Sequence, residues 1–305
     1  MKILVIGGSG LIGNYVLKAA KEAGHSAVGT FRNYSLPGLV HLDGSDLREM
    51  QSLLDAQRPE AIVYAAGWTW VDGCEENPAR AFAENAEQPL AVAKWCRAAG
   101  SKFVYLSTSY VFDGAAGPYG ENAIPNPINV YARSKLQGEQ TIAEATSGDA
   151  LIARVIFVYG AEAQAKNFAC QVSRAMESGT ALTVPSDQMG NPTYAADIGR
   201  WLIQLVQNRA FGLWNLAGPN PNCSKAEWGE QLAKALQAAG VKPQPGFAIK
   251  PIVTAEMKQR APRPLHGGIL TAKADALNFS ATPFDESIAQ VVRDMKVQPA
   301  LKSGK

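Results

Sequence analysis

Residues 2–6 (KILVI) make a short apolar run that reads as a buried strand, and apolar positions then recur at helical spacing from about Leu11 to Ala23, ending at Gly24. SAVGT (26–30) reads as a second strand, which completes a strand–helix–strand unit. The alternation continues with a strand near 39–42, a helix near 46–57 and AIVYAA (61–66) as a strand. One long helix is expected from about Pro78 to Ala99, then KFVYLS (102–107) as a strand, a helix over about 128–146, and LIARVI (151–156) as the last strand. Strands and helices of these lengths in strict alternation predict an α/β fold with a doubly wound parallel sheet, its ligand at the carboxyl ends of the strands. After residue 157 the pattern is less regular, and Pro185, Pro192, Pro219, Pro221, Pro243, Pro245, Pro251, Pro262, Pro264 and Pro283 punctuate what reads as short elements. We expect a smaller C-terminal α/β lobe there. The predicted division is residues 1–156 with 191–216 returning to them, residues 157–190 and 217–298 as the lobe, and 299–305 as a frayed tail.

Between the first strand and first helix lies GGSGLIG, with glycine at 7, 10 and 13. Glycine there lets the chain turn tightly and lets backbone amides approach a pyrophosphate, while the helix directs its positive end at the phosphates. Gly7, Ser9, Gly10, Leu11, Ile12 and Gly13 are therefore the candidate dinucleotide cradle of a Rossmann domain. Such domains, when they prefer NAD, usually hold the ribose hydroxyls with an acid at the end of the second strand. This chain has Thr30, Phe31 and Arg32 there, a cation that suits a 2′-phosphate. NADP(H) is expected to be preferred, with NAD(H) as the alternative. Asp43 and Gly44, at the end of the third strand, are candidates to edge the adenine.

Tyr131 and Lys135 are four apart on a predicted helix and so share a face. A phenol with an unperturbed pKa of about 10 exchanges protons poorly near neutrality. A neighbouring ammonium is expected to lower that pKa, so that the tyrosine can give a proton to a carbonyl oxygen. Ahead of this helix, LSTSY (106–110) puts Ser107 and Thr108 at a strand's carboxyl end, where one hydroxyl can hold that carbonyl. Hydroxyl, tyrosine and lysine in this order, downstream of a glycine turn, predict an oxidoreductase site.

Composition narrows the classes further. With 47% hydrophobic and 18% charged residues in 305, the chain has the balance of a globular enzyme. A net charge of +2 offers no field that would attract nucleic acid. Cys74, Cys96, Cys170 and Cys223 form no CxxC pair, and His25, His41 and His266 are scattered, so no metal is predicted. The first apolar run is too short for a secretory signal, and no stretch nears the ~20 apolar residues that cross a bilayer, so no membrane role and a cytoplasmic location are expected.

Seven segments together carry a resemblance: AAGWTWVDGCEENPARAFAENA (65–86), LSTSYVFDG (106–114), NPINVYARSKLQGE (126–139), ARVIFVYG (153–160), KNF (166–168), DQMGNPTYAADI (187–198) and GLWNLAG (212–218). Fainter echoes at 223–229 and 263–273 extend it to about residue 295. On these the chain resembles the extended short-chain dehydrogenase/reductases and, within them, the dTDP-4-dehydrorhamnose reductases. The resemblance implies catalytic roles for Thr108, Tyr131 and Lys135 and puts Ala65, Ala66 and Gly67 beside the cofactor. It implies that Val71 and Tyr110 border the substrate, and that Lys166, Asn167 and Arg263 lie towards its nucleotide diphosphate. Two positions depart from the family: Ser109 stands where aspartate is usual, and Phe157 where tryptophan is usual. Both lie near the sugar in the family, so a hexose other than 4-keto-rhamnose is within the reading. Trp68 and Trp70 are open to either a stacking role or core packing.

By the same resemblance the partner is a small nucleotide sugar and the assembly a homodimer; some members use magnesium between subunits, for which this sequence shows no carboxylate cluster. Dehydratases of the fold carry an acidic pair where this chain has Ser109 and Tyr110, which argues against water elimination. Epimerases of the fold hold NAD tightly, which sits poorly with Arg32. The alternative outside enzymology is a non-catalytic NADP-binding regulatory subunit, since the regulatory subunit of methionine adenosyltransferase resembles the same reductases.

Overall fold

A computed structural model describes residues 1–297; the predicted tail at 299–305 lies outside the described residues. In chain order the first half runs β1 (Lys2–Ile6), α1 (Leu11–Glu22), β2 (Ser26–Phe31), β3 (Leu39–His41), α2 (Leu47–Gln57), β4 (Ala61–Tyr64), α3 (Val71–Glu76), α4 (Pro78–Phe82), α5 (Gln88–Ala99), β5 (Lys102–Thr108), α6 (Val130–Ala145) and β6 (Leu151–Val155). The second half runs β7 (Val158–Tyr159), α7 (Phe168–Ser178), β8 (Ala181–Pro185), β9 (Met189–Gly190), β10 (Thr193–Tyr194), α8 (Ala195–Gln207), β11 (Gly212–Asn215), β12 (Cys223–Ser224), α9 (Lys225–Ala238), β13 (Ala248–Ile252), α10 (Ala272–Asp275) and α11 (Phe284–Val297).

Seven parallel strands form the central sheet in the order β11-β6-β5-β4-β1-β2-β3. The order reverses between β1 and β4, and the crevice outside their carboxyl ends is where such sheets take ligands. Side chains alternate across each strand, so Ile3 and Val5 face α1 and α8 through Val16, Ala20, Ile198 and Leu202. Leu4, Ile6 and Ile62 face the opposite layer of Met50, Leu54, Val92 and Ile142. Residues 191–216 supply α8 and then β11, which adds to the outer edge of β6 with Gly212 opposite Leu151. The remaining C-terminal elements pack around Trp228, Phe168, Tyr159, Leu232 and Ile288 as a second core, with short two-stranded pairings β8–β13 and β9–β12.

Two expectations are corrected. The helix read as continuous from Pro78 to Ala99 is interrupted by a π-helical turn at Ala83–Glu87, because Asn85 is drawn into side-chain bonding with neighbouring segments and the backbone widens to allow it. The lobe is also less fragmentary than its prolines suggested, since α9 and α11 each run for 14 residues with one apolar face buried. Its prolines fall between or at the ends of elements, where a missing N–H is harmless, except Pro251, which sits inside the two-stranded pairing of β13 with β8. Among the described residues no helix is long and apolar enough to cross a membrane.

Candidate active site

The turn after β1 is built from backbone. Gly7 has φ +87°, and a side-chain carbon there would stand 2.7 Å from the amide nitrogen of Ala66 at the end of β4. Its amide donates to Thr30 Oγ1 at 3.1 Å, and its carbonyl accepts from Gly10 N at 3.0 Å. A side chain at Gly13 would run into that same carbonyl, so only glycine lets α1 start so close to β1. Five helices have a side chain on their first-turn amides: Asp46 on α2, Asn77 on α4, Asn129 on α6, Asn167 on α7 and Ser224 on α9. By contrast, α1 begins at Gly10 with no side-chain cap and no acid in its first turn. Unpaired amides at Leu11 and Ile12 with a helix dipole behind them favour an anion, and the cradle fits the diphosphate of a dinucleotide. Across the crevice it faces Ala65, Ala66 and Gly67.

Towards the β2 and β3 ends, Arg32 is not the unengaged cation its position suggested. Its Nη1 is 3.1 Å from Oε1 of Glu84, and the same oxygen accepts from Arg80 Nε at 2.7 Å. Asp43 Oδ1 accepts from Ser45 N and Oγ at 3.0 and 2.9 Å, which holds its carboxyl below the usual range, with a smaller contribution from Arg32. Gly44 faces Gln88, whose Oε1 would be 2.8 Å from a side chain at 44. Glu84 and Gln88 thus stand opposite Arg32, Asp43 and Gly44.

At the carboxyl end of β5 the two candidate hydroxyls separate. Ser107 donates to Glu139 at 2.5 Å, and Arg154 clamps that carboxylate at 2.9 and 2.6 Å in a buried pair. Thr108, on the other face, accepts from Tyr110 N at 3.2 Å and lies beside the Tyr131 hydroxyl. Burial pushes the Tyr131 phenol up, and the Thr108 hydroxyl opposes that only in part. Lys135 is also buried; its Nζ donates to the Leu106 carbonyl at 2.6 Å and sits 4.0 Å from the centre of the Tyr105 ring. Burial lowers its pKa to about 7, against the pull of Glu139. The expectation that the ammonium lowers the phenol pKa is therefore corrected: desolvation dominates both groups, and the lysine is directed at a carbonyl. A phenol held up this way keeps its proton, which suits a donor better than a base.

Asn85, on the π-helical turn, went unnoticed in the sequence. Its Nδ2 donates to Trp68 O at 3.1 Å and to Ser134 Oγ at 3.0 Å, its Oδ1 accepts from Trp68 N at 2.9 Å, and its carbonyl accepts from Tyr105 at 2.5 Å. One residue so ties the β4–α3 loop, β5 and α6 together. An asparagine inside a predicted helix, where it is a poor former, was the available signal.

Of the residues assigned to the substrate, Val71 and Tyr110 pack with Tyr131 and Trp68 in one cluster, Tyr110 edge-on to Tyr131 at 5.9 Å. Trp68 is stacked under Arg80 at 4.2 Å, while Trp70 is 58% exposed. Of the other five, four are engaged elsewhere, while Ser109 is fully buried in the turn after β5 and its Oγ has no hydrogen-bond partner among the described residues. Phe157 stacks on Trp228 at 5.4 Å, and Lys166 reaches the Tyr34 ring at 5.3 Å. Asn167 caps α7 and donates to Gly160 O at 2.8 Å. Arg263 pairs with Asp72 at 3.0 Å and donates to Ala261 O at 2.7 Å. Lys225, which no motif singled out, has its pKa lowered by burial and then by Arg263, and lies 5.1 Å over Phe168. Among the described residues no three His, Cys, Asp or Glu side chains gather as a metal site.

A parallel sheet with an anion cradle at its switch point and a threonine–tyrosine–lysine cluster one strand away defines a dinucleotide-dependent Rossmann protein. The chain belongs to the RmlD substrate binding domain family, whose model matches residues 1–297. It is 31% identical to a dTDP-4-dehydrorhamnose reductase of Streptomyces griseus over 86% of this chain and 83% of that one. It is 29% identical to methionine adenosyltransferase 2 subunit beta of Danio rerio over 94% of this chain and 88% of that one. A dTDP-4-dehydrorhamnose reductase from Bacillus anthracis str. Ames, solved in complex with NADP, superposes with a TM-score of 0.84 at 25% identity, over 96% of this chain and 99% of the other.

Proposed function

We propose that this chain is an NADPH-dependent reductase of a keto group on a nucleotide-activated deoxysugar, with Tyr131 as the proton donor. The observation that carries it is the placement of Thr108 beside the Tyr131 hydroxyl at the end of β5, on the crevice that the glycine cradle opens. With its diphosphate on the cradle, a bound dinucleotide would supply the hydride. Thr108 holds the substrate carbonyl, Tyr131 protonates its oxygen, and Lys135, gripping the Leu106 carbonyl, adds positive charge nearby to the extent that it is protonated, its pKa being lowered to about 7. Val71 and Tyr110 border the sugar. All four cysteines are free and buried, which fits a reducing compartment, and we place the protein in the cytoplasm.

Mixing the protein with NADPH and a panel of nucleotide 4-keto sugars tests this by loss of dinucleotide absorbance. Tyr131→Phe is expected to lower kcat by about 10²–10⁴ while NADPH binding persists. NADPH binding without oxidation on any sugar would sink the reading and favour the regulatory role suggested by the methionine adenosyltransferase subunit.

A further inference from the structure

Glu84 holds the one carboxylate gripped by arginines from two elements of the dinucleotide-binding half among the described residues. It is 8% exposed, on the π-helical turn, and both guanidiniums converge on Oε1. Its Oε2 makes no hydrogen bond among the described residues, yet it is not sealed from solvent. The strand end that in NAD-binding relatives of the fold carries an acid is Thr30-Phe31-Arg32 here, without one. Asp43 is the other acid nearby, and its Oδ1 is taken by Ser45. Two cations, Arg32 and Arg80, thus face two anions, Glu84 and Asp43, so the place offers a phosphate no net field.

We propose that Glu84 is a specificity-determining residue that lets this chain take both dinucleotides: its unengaged oxygen accepts the adenosine ribose hydroxyls of NADH, and it yields Arg32 to the 2′-phosphate of NADPH. The proposal rests on the dinucleotide reading above. Arg80 makes the exchange feasible. When Arg32 turns to a phosphate, Glu84 keeps a partner at 2.7 Å, itself stacked on Trp68 at 4.2 Å, so no buried carboxylate is left alone. NADH needs no exchange, because a hydroxyl donates to a carboxylate already in place.

Calorimetric titration of ADP-ribose and 2′-phospho-ADP-ribose into the full chain reads this without turnover, and steady-state rates with NADH and NADPH supply a second readout. The parent is expected to bind the two nucleotides within about tenfold of each other. Glu84→Gln should shift the ratio about tenfold or more towards the phosphorylated one, the scale of a hydrogen bond to a charged group. Glu84→Asp should restore part of the shift, and Arg32→Gln should move the ratio the opposite way. Should Glu84→Gln fail to fold, the Arg32→Gln arm decides, and an unchanged ratio there overturns the proposal. Binding of both nucleotides with an unchanged ratio in folded Glu84→Gln overturns the role of Glu84 alone. Failure of both nucleotides to bind the parent overturns the dinucleotide reading and this proposal with it, whereas binding of only one leaves that reading standing and overturns the proposal.

Discussion

The dinucleotide cradle and the substrate lobe are built from different materials. Around β1 the cradle is backbone: two glycines with no room for a side chain, and a helix start that no side chain caps. In the lobe the side chains the resemblance assigned to substrate already have other partners, Arg263 the Asp72 carboxylate of α3, Asn167 its own helix, Phe157 the Trp228 ring. A cradle of amides exists before anything binds and tolerates little change. A cleft of paired side chains must trade partners to bind, and its specificity can drift by single exchanges.

That contrast can be broken at three points. The largest effect is expected for Gly13→Ala, whose added carbon meets the Gly7 carbonyl. Overpacking of this kind costs about 1–3 kcal/mol, so dinucleotide affinity should fall roughly 10–100-fold by calorimetry. Unchanged affinity would mean that the cradle is softer than its packing. Next, Asp72→Asn strips the charge from the partner of Arg263, a residue whose side chain is nearly buried, and should lower stability by about 1–2 kcal/mol in a denaturant titration. If the lobe does trade partners, the same variant should lower the KM for the nucleotide sugar as Arg263 is released. The smallest effect concerns Lys135, whose folded pKa of about 7 lies below the ordinary value of 10.5. A lysine depressed on folding loses stability as pH falls from 10.5 to 7, because over that range the unfolded chain takes up the proton while the folded chain does not; below 7 the loss is complete. Lys135→Met should therefore gain Tm relative to the parent by a few degrees more at pH 6 than at pH 9; an equal gain at both would deny the shift.

Much of the fold was legible because it depends on local pattern. Strands buried on both faces show as apolar runs, and α1, α2 and α6 show as helical spacing within two residues of their observed ends. The cradle was legible for the same reason, since glycine requirements are local. The π-helical turn was not, because the spacing of apolar residues either side of Asn85 still looks helical. Nor was the partner of Arg32: Glu84 lies far along the chain, and only the fold brings its carboxylate to the end of β2. The direction of the phenol shift failed similarly, since four-residue spacing shows that Tyr131 and Lys135 share a face but not that burial dominates both groups.

The outermost strand on one side of the sheet, β11, reaches its place only after the chain has left β6 and passed through the first part of the lobe and α8. During synthesis β6 therefore emerges with a bare flank, its amides and carbonyls open to any other extended chain. The inserted lobe is in that sense a delay written into the topology: until residue 215 clears the ribosome, the half that holds the cofactor is a sticky intermediate.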